Sequence, residues 1–140
     1  MWSGSSDVTR LQFMGERDSK DLKVLLVEDV EDTRLFMRLE LEQHGFIVLE
    51  AGDGMSAVKI AMQEVPDVIL MDLTLPVMDG FAATKLIRKS QKLKDVPIIA
   101  VTAHQETDFR SGAKDSGFDA YVTKPIDFDW LSELMVGLIG

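Results

Sequence analysis

Short apolar runs alternate along this chain with segments of helical spacing, and each run ends in a polar or charged residue. The run at 24–27, Val-Leu-Leu-Val, contains no polar residue, and the runs at 68–71 and 98–101 have the same character. Unbroken runs of this length are typical of strands that are buried on both faces. Their alternation with helical segments predicts repeated βα units and a parallel sheet.

We predict an α/β fold of five strands and five helices, a doubly wound parallel sheet with the flavodoxin-like order 2-1-3-4-5. The pattern covers residues 22–140 as one domain, whereas residues 1–21 read as a flexible tail. The predicted strands are 24–27, 46–51, 68–71, 98–101 and 120–122. The predicted helices are 32–44, 55–64, one beginning near 79, 106–116 and 127–138.

Helical spacing predicts a core-facing side for the first and last helices. In the first helix this side holds Phe36, Met37, Leu39 and Leu41, and in the last it holds Trp130, Leu131, Leu134, Met135 and Leu138. The fourth predicted helix, 106–116, has few large apolar residues and is the most weakly anchored.

Composition narrows the classes of function. The net charge of −9 argues against direct binding of nucleic acid, because a phosphate backbone needs a positive surface. The chain has no cysteine, which removes thiol nucleophiles, thiolate metal sites and disulfides. No apolar run approaches the roughly 20 residues of a membrane span, and no signal peptide is recognisable. We therefore expect a cytoplasmic protein that does not contact the membrane.

Polar side chains that could share a site follow four of the predicted strands. Glu28 and Asp29 follow the first strand, Asp72 the third, Thr102 the fourth and Lys124 the fifth. Because the carboxyl ends of parallel strands meet at one edge, where such folds bind ligands, we expect these side chains to converge.

Three carboxylates at one edge repel each other unless a cation neutralises them. Hard oxygen ligands suit Mg²⁺, with Mn²⁺ as a possible substitute. We expect Asp29 and Asp72 to bind the metal directly, and Glu28 to bind it directly or through water. A bound divalent ion favours phosphoryl chemistry, since it also ligates phosphoryl oxygens.

A carboxylate can serve as a nucleophile and form an aspartyl-phosphate. Asp72 is the candidate, because it ends the central predicted strand. Lys124 would offer a positive charge to the incoming phosphoryl oxygens, and the Thr102 hydroxyl would offer a hydrogen bond.

Each of these residues also has an ordinary explanation. Acidic residues after strands often cap a helix or begin a turn, so Glu28 and Asp29 could cap the first helix and Asp72 could start a turn. Thr102 and Lys124 could be unremarkable loop residues. The functional interpretation is favoured because all of them fall at the same edge.

Four short motifs together make the chain resemble a response-regulator receiver domain, the phosphoacceptor of two-component signalling, of the single-domain chemotaxis or cell-cycle type. The resemblance extends from residue 22 to about 138. The motifs are Val-Glu-Asp at 27–29, Met-Asp-Leu-Thr-Leu-Pro-Val-Met-Asp-Gly at 71–80, Val-Thr-Ala at 101–103 and Lys-Pro at 124–125.

The resemblance implies that a histidine kinase or a histidine phosphotransfer protein donates a phosphoryl group to Asp72. It implies that the backbone carbonyl of Thr74 joins the three carboxylates around Mg²⁺, and that Thr74 and His104 tune dephosphorylation. It also implies a cis peptide bond between Lys124 and Pro125.

The resemblance implies, in addition, a switch in which Thr102 and Tyr121 move on phosphorylation. The surface of the fourth helix, fifth strand and fifth helix would then change and bind a downstream protein. Such a domain catalyses its own phosphorylation and dephosphorylation but is not a turnover enzyme. We expect a stand-alone regulator that is a monomer or a weak dimer.

Three alternatives remain open from the sequence. One is a receiver-shaped interaction module that is never phosphorylated. A phosphatase of the haloacid-dehalogenase type would need a second Asp where Thr74 stands. A flavodoxin-like cofactor protein would need a Gly/Ser/Thr-rich loop where Glu28 and Asp29 stand, and those carboxylates would repel its phosphate.

Overall fold

A five-stranded parallel sheet forms the centre of this computed structural model, which describes residues 21–75, 78–103 and 117–140. The strand order is β2-β1-β3-β4-β5, as the sequence predicted. The strands are β1 (Lys23–Val27), β2 (Ile47–Ala51), β3 (Val68–Asp72), β4 (Ile98–Thr102) and β5 (Ala120–Thr123).

Four helices lie within the described residues: α1 (Glu31–Gln43), α2 (Gly54–Glu64), α3 (Gly80–Arg88) and α4 (Phe128–Ile139). The fourth predicted helix, 106–116, lies outside those residues, as does nearly all of the predicted tail. The helix labelled α4 therefore corresponds to the fifth predicted helix. None of the helices described has the length and apolar character needed to cross a membrane.

The core has two layers, one on each face of the sheet. Every residue of β3 and β4 is buried, which explains why both strands are apolar up to their last residues, Asp72 and Thr102. Alternate residues of β1 face opposite layers, since successive side chains of a strand point to opposite faces. One layer packs against α1 and α4 and includes Val24, Leu26, Met37, Leu41, Leu131 and Met135. The other packs against α2 and α3 and includes Leu25, Val27, Ala57, Ala61, Ala83 and Ile87.

Three apolar residues that the sequence assigned to the core are exposed, so that prediction was wrong. Phe36 is 56% exposed, Trp130 is 52% exposed and Leu39 is 48% exposed. The side of α1 that meets the sheet is centred on Met37 and Leu41, which are buried. At 3.6 residues per turn, Phe36 and Leu39 lie about 100° and 160° around the helix from Met37.

The end of α1 is fixed by His44 and Gly45. Gly45 has a φ of 94°, a left-handed conformation that favours glycine after a helix. His44 Nδ1 lies 2.9 Å from the Glu40 carbonyl oxygen, and Nε2 lies 2.8 Å from Asp129 Oδ1. Both partners are acceptors, so the ring satisfies both only when it is protonated. The hydrogen bonds to Glu40 and Asp129 accordingly raise the pKa of His44.

Gly137 offers a test of this account of the helices. It lies within α4, and a Cβ added there would meet nothing within 4 Å. We expect Gly137→Ala to raise the free energy of unfolding by about 0.5–1 kcal/mol, because alanine loses less backbone entropy in a helix.

The matched control is Gly45→Ala, which places a Cβ in a left-handed conformation and should destabilise by about 1–2 kcal/mol. Urea unfolding curves measure both changes. A loss of stability in Gly137→Ala would contradict the open surface described at this position.

Candidate functional site at the carboxyl edge

The carboxyl ends of β1 and β3 bring three carboxylates together. Glu28 and Asp29 directly follow β1, and Asp72 is the last residue of β3. The two strands are neighbours in the sheet, so one carboxylate oxygen from each residue lies within 4.8 Å of the others. Glu28 and Asp72 are buried, and Asp29 is exposed.

Glu28 is held at every polar group. Its backbone N–H donates to the Ala51 carbonyl oxygen at 3.1 Å. Its Oε2 accepts from the Val30 N–H at 3.1 Å, and its Oε1 accepts from Lys124 Nζ at 3.2 Å. Burial acts to raise the pKa of Glu28, but the Val30 N–H and the Lys124 ammonium outweigh it and hold the pKa below its usual value.

The ionised form of Asp72 is stabilised less well than that of Glu28. Its Oδ1 accepts from the Thr74 N–H at 2.9 Å, whereas its Oδ2 lies 3.8 Å from Lys124 Nζ. Burial, reinforced by the charge of Glu28, raises the pKa of Asp72 to about 6 against the opposing effects of the Thr74 N–H and Lys124.

The carboxylates of this cluster are distinct from the acidic residues that cap helices. The N-cap of α1 is Val30, with no side-chain capping bond, so the alternative that Glu28 or Asp29 caps this helix is wrong. The residues that do cap helices are Asp53, Asp79 and Asp127, which accept the N–H of Ser56, Ala82 and Trp130. Asp72 does begin a turn through Thr74 while also facing Glu28.

Lys124 and Thr102 complete the group that the sequence placed at this edge. Lys124 directly follows β5, and its ammonium reaches both buried carboxylates. Thr102 is the buried last residue of β4, and its carbonyl oxygen accepts the Lys124 N–H at 2.9 Å. The Lys124–Pro125 peptide bond is cis, as predicted.

Three further residues were predicted to take part in the site or its switch: Tyr121, Thr74 and His104. Tyr121 is half-buried in the edge strand β5 and lines a cleft of about 350 Å³ together with Ile126 and Trp130. Thr74 is exposed and joins the site through its N–H bond to Asp72. His104 lies outside the described residues.

Two further residues shape the site and were not singled out from the sequence. A Cβ on Gly80 would lie 2.4 Å from the Asp72 carbonyl oxygen, so α3 can approach the end of β3 only with glycine there. The Asp79-Gly80 pair was interpreted as a helix start and as the end of the motif at 71–80, and this close approach was not predicted from it. Arg34 donates from Nη1 to the Glu28 carbonyl oxygen at 2.8 Å, and no sequence pattern marked it.

A doubly wound sheet with an acidic cluster and a lysine at its carboxyl edge defines the class of receiver domains. The family model of the response regulator receiver domain matches residues 24–135, and the chain belongs to this family. The predicted recognition is thereby confirmed, and the phosphatase and flavodoxin-like alternatives fall away. Members of this family are generally signalling domains of two-component systems rather than turnover enzymes.

The chain is similar to two receiver-sized proteins along most of their length. It is 39% identical over 110 residues to protein PilH of Pseudomonas aeruginosa, which covers 78% of this chain and 90% of PilH. It is 32% identical over 117 residues to the polar-differentiation response regulator DivK of Brucella ovis, which covers 84% of this chain and 95% of DivK.

A solved structure gives the same fold at similar identity. The receiver domain of a sensor histidine kinase from Pseudomonas aeruginosa superposes with a TM-score of 0.80 at 35% identity, covering 86% of this chain and 98% of that domain. That crystal structure has a magnesium ion coordinated in its active-site cleft.

The raised pKa of Asp72 predicts that this carboxylate destabilises the metal-free fold. The folded-state pKa of about 6 lies above the ordinary 3.8, so the penalty is absent below about pH 4 and complete above about pH 7. At about 1.4 kcal/mol per pKa unit, Asp72→Asn should stabilise the metal-free protein by up to about 3 kcal/mol at neutral pH.

Urea unfolding in EDTA at neutral and acidic pH measures this difference. The gain should shrink as the pH falls toward about 4, because Asp72 becomes protonated in the folded state and then in the unfolded state. The control is Asp127→Asn, which makes the same replacement at the N-cap of α4. Asparagine is as good an N-cap residue as aspartate, so this change should leave stability nearly unchanged. An Asp72→Asn variant no more stable than wild type at neutral pH would contradict the burial penalty.

Proposed function

We propose that this domain accepts a phosphoryl group on Asp72 from a phosphohistidine of a histidine kinase or a histidine phosphotransfer protein. The observation that carries the proposal is the cluster of three carboxylates within 4.8 Å, two of them buried, beside one lysine. When Glu28 and Asp72 are both ionised, their negative charge exceeds the positive charge of Lys124, which favours a bound cation.

The donor set fits Mg²⁺. Glu28, Asp29 and Asp72 would hold the ion with the backbone carbonyl of Thr74, and all of these ligand atoms are hard oxygens. When bound, the ion would neutralise charge on the carboxylates and on the phosphoryl oxygens. The magnesium ion in the related kinase receiver domain supports this assignment, and we expect Mn²⁺ to substitute.

The transfer itself would be an in-line displacement at phosphorus. A carboxylate oxygen of Asp72 attacks, the P–N bond of the phosphohistidine breaks, and the imidazole leaves with the electron pair and takes up a proton. The product on this chain is an acyl phosphate. Asp72 is suited to attack because it lies at the open edge of the sheet and is ionised for the most part at neutral pH.

Lys124 and Thr102 would receive the phosphoryl group. The Lys124 ammonium already lies 3.8 Å from Asp72 Oδ2, within reach of an oxygen attached to that carboxylate. Thr102 ends the strand next to β3 and would donate its hydroxyl to a second phosphoryl oxygen. Thr74 and His104 would tune the rate at which water removes the group.

The switch would run from Thr102 to Tyr121 and the surface around it. Tyr121 of β5 pairs with Ala100 of β4, and Ala100 lies two residues before Thr102. Tyr121 also lines the cleft beside the exposed Trp130. A shift of Thr102 toward the phosphoryl group would let Tyr121 turn inward and change this cleft. The surface would comprise the fourth predicted helix, β5 and α4, and would bind a downstream protein.

The direct test is phosphorylation by acetyl phosphate with Mg²⁺, followed by intact mass measurement. We expect the native chain to gain one phosphoryl group that EDTA prevents and hydroxylamine removes, as for an acyl phosphate. Asp72→Asn should gain none. Asp79→Asn, the same change at the cap of α3, should still be labelled. No adduct, together with no rise in melting temperature on adding Mg²⁺, would contradict the proposal and leave a receiver-shaped interaction module.

Lys124 would contact the phosphoryl group without being needed for metal binding, and the two roles can be measured separately. Lys124→Gln removes the ammonium next to Asp72, so labelling at saturating Mg²⁺ should slow by about 100-fold or more. Its affinity for Mg²⁺ should not fall, because Lys124 competes with the cation for the same carboxylates. The control Lys92→Gln changes an exposed lysine before β4 and should alter neither quantity. An unchanged labelling rate in Lys124→Gln would contradict the assigned role.

A further inference from the structure

Arg34 connects the first helix to the backbone of the acidic cluster. Its Nη1 donates to the Glu28 carbonyl oxygen at 2.8 Å, and its Nε donates to Glu50 Oε1 on β2 at 3.2 Å. The side chain is only 19% exposed. A Cβ on Gly52 would lie 3.3 Å from Nη1, so glycine at this position leaves room for the guanidinium.

The carbonyl that Arg34 contacts belongs to the peptide between Glu28 and Asp29. The N–H of Glu28 is already bound to Ala51, and its carboxylate is bound to Val30 and Lys124. Asp29 differs because its side chain is exposed and packing does not fix it. Its position depends on the orientation of the peptide that precedes it, which Arg34 restrains.

We infer that Arg34 is a positioning residue for the metal site, and that its contact with the Glu28 carbonyl sets the affinity for the divalent cation. The inference rests on the proposed function, since it concerns the same three carboxylates. An arginine suits this role because its planar fork reaches the carbonyl and the Glu50 carboxylate at once. Some residues do not bind a metal but hold its ligands in position, and their mutation commonly lowers the metal affinity by about 10–100-fold.

Charge and geometry predict opposite effects for the loss of Arg34. A positive charge near a cation site weakens cation binding, so removing it would strengthen the binding of Mg²⁺ if charge alone mattered. Losing the restraint on the Glu28–Asp29 peptide would instead weaken the binding of Mg²⁺. Arg34→Lys keeps the charge but cannot make both contacts, and Arg34→Gln loses both.

Arg38 is a matched control within the same helix. Its Nε lies 3.1 Å from Glu50 Oε2, and its Nη1 lies 3.3 Å from Glu42 Oε2. It thus shares Glu50 with Arg34, but both of these contacts are with carboxylates rather than with the Glu28 peptide. Arg38→Gln should affect stability as a surface ion pair does, with no effect on the metal site.

The experiment measures Mg²⁺ dissociation constants by calorimetry for wild type, Arg34→Lys, Arg34→Gln and Arg38→Gln, with unfolding free energies in EDTA alongside. We expect both Arg34 variants to bind Mg²⁺ about tenfold more weakly or worse, and Arg38→Gln to stay within about twofold of wild type. At saturating Mg²⁺, Arg34→Lys should regain most of the wild-type rate of labelling by acetyl phosphate.

Arg34 variants that bind Mg²⁺ as tightly as wild type, or more tightly, would overturn the inference while leaving the proposed function intact. A loss of affinity in Arg38→Gln equal to that in Arg34→Gln would also overturn it, because the effect would then follow general loosening of α1. If Arg34→Gln does not fold, Arg34→Lys decides. A wild-type protein that binds no Mg²⁺ would overturn the proposed function and this inference together.

Discussion

Two carboxylates buried side by side, with the Lys124 ammonium in contact with both, are the constraint on which the rest of the site depends. Lys124 lies closer to Glu28 than to Asp72, and Val30 adds a hydrogen bond to Glu28. The shortage of positive charge therefore falls on Asp72, whose pKa rises to about 6. Burying these charges destabilises the metal-free fold. Under the proposed function, a bound divalent cation would relieve this cost and Asp72 would be the carboxylate that reacts.

The fold creates this constraint and limits how it can relax. Parallel strands in the order β2-β1-β3-β4-β5 place the ends of β1 and β3 next to each other. Specific contacts hold the segments next to the site in place. Gly80 allows α3 to lie against the Asp72 carbonyl, and Asp79 caps the same helix. Arg34 fastens the peptide after β1. The carboxylates consequently cannot move apart without disturbing packed elements.

The strand order and most of the site followed from the sequence, because unbroken apolar runs mark buried strands and parallel strands end at one edge. Helix faces were harder, since Phe36 and Trp130 sit next to buried residues in a helix and apolar character alone does not say which neighbour faces the sheet. Contacts such as His44 with Asp129 join residues distant in the sequence and follow no periodic pattern. Arg34 belongs to the same class, because its role depends on a backbone carbonyl that no residue type reveals.

In the proposed function, Asp72 carries the phosphoryl group beside a metal ion that it shares with Glu28 and Asp29. A crystal structure of the protein with Mg²⁺ and beryllium fluoride, which mimics a phosphoryl group on a carboxylate, would show both features at once. We expect the adduct on Asp72, the ion between Asp72, Glu28 and Asp29, and fluorides facing Lys124 and Thr102. An unmodified Asp72 at saturating reagent, or a metal ion bound away from these carboxylates, would show that Asp72 is not the phosphoacceptor of a metal-dependent site.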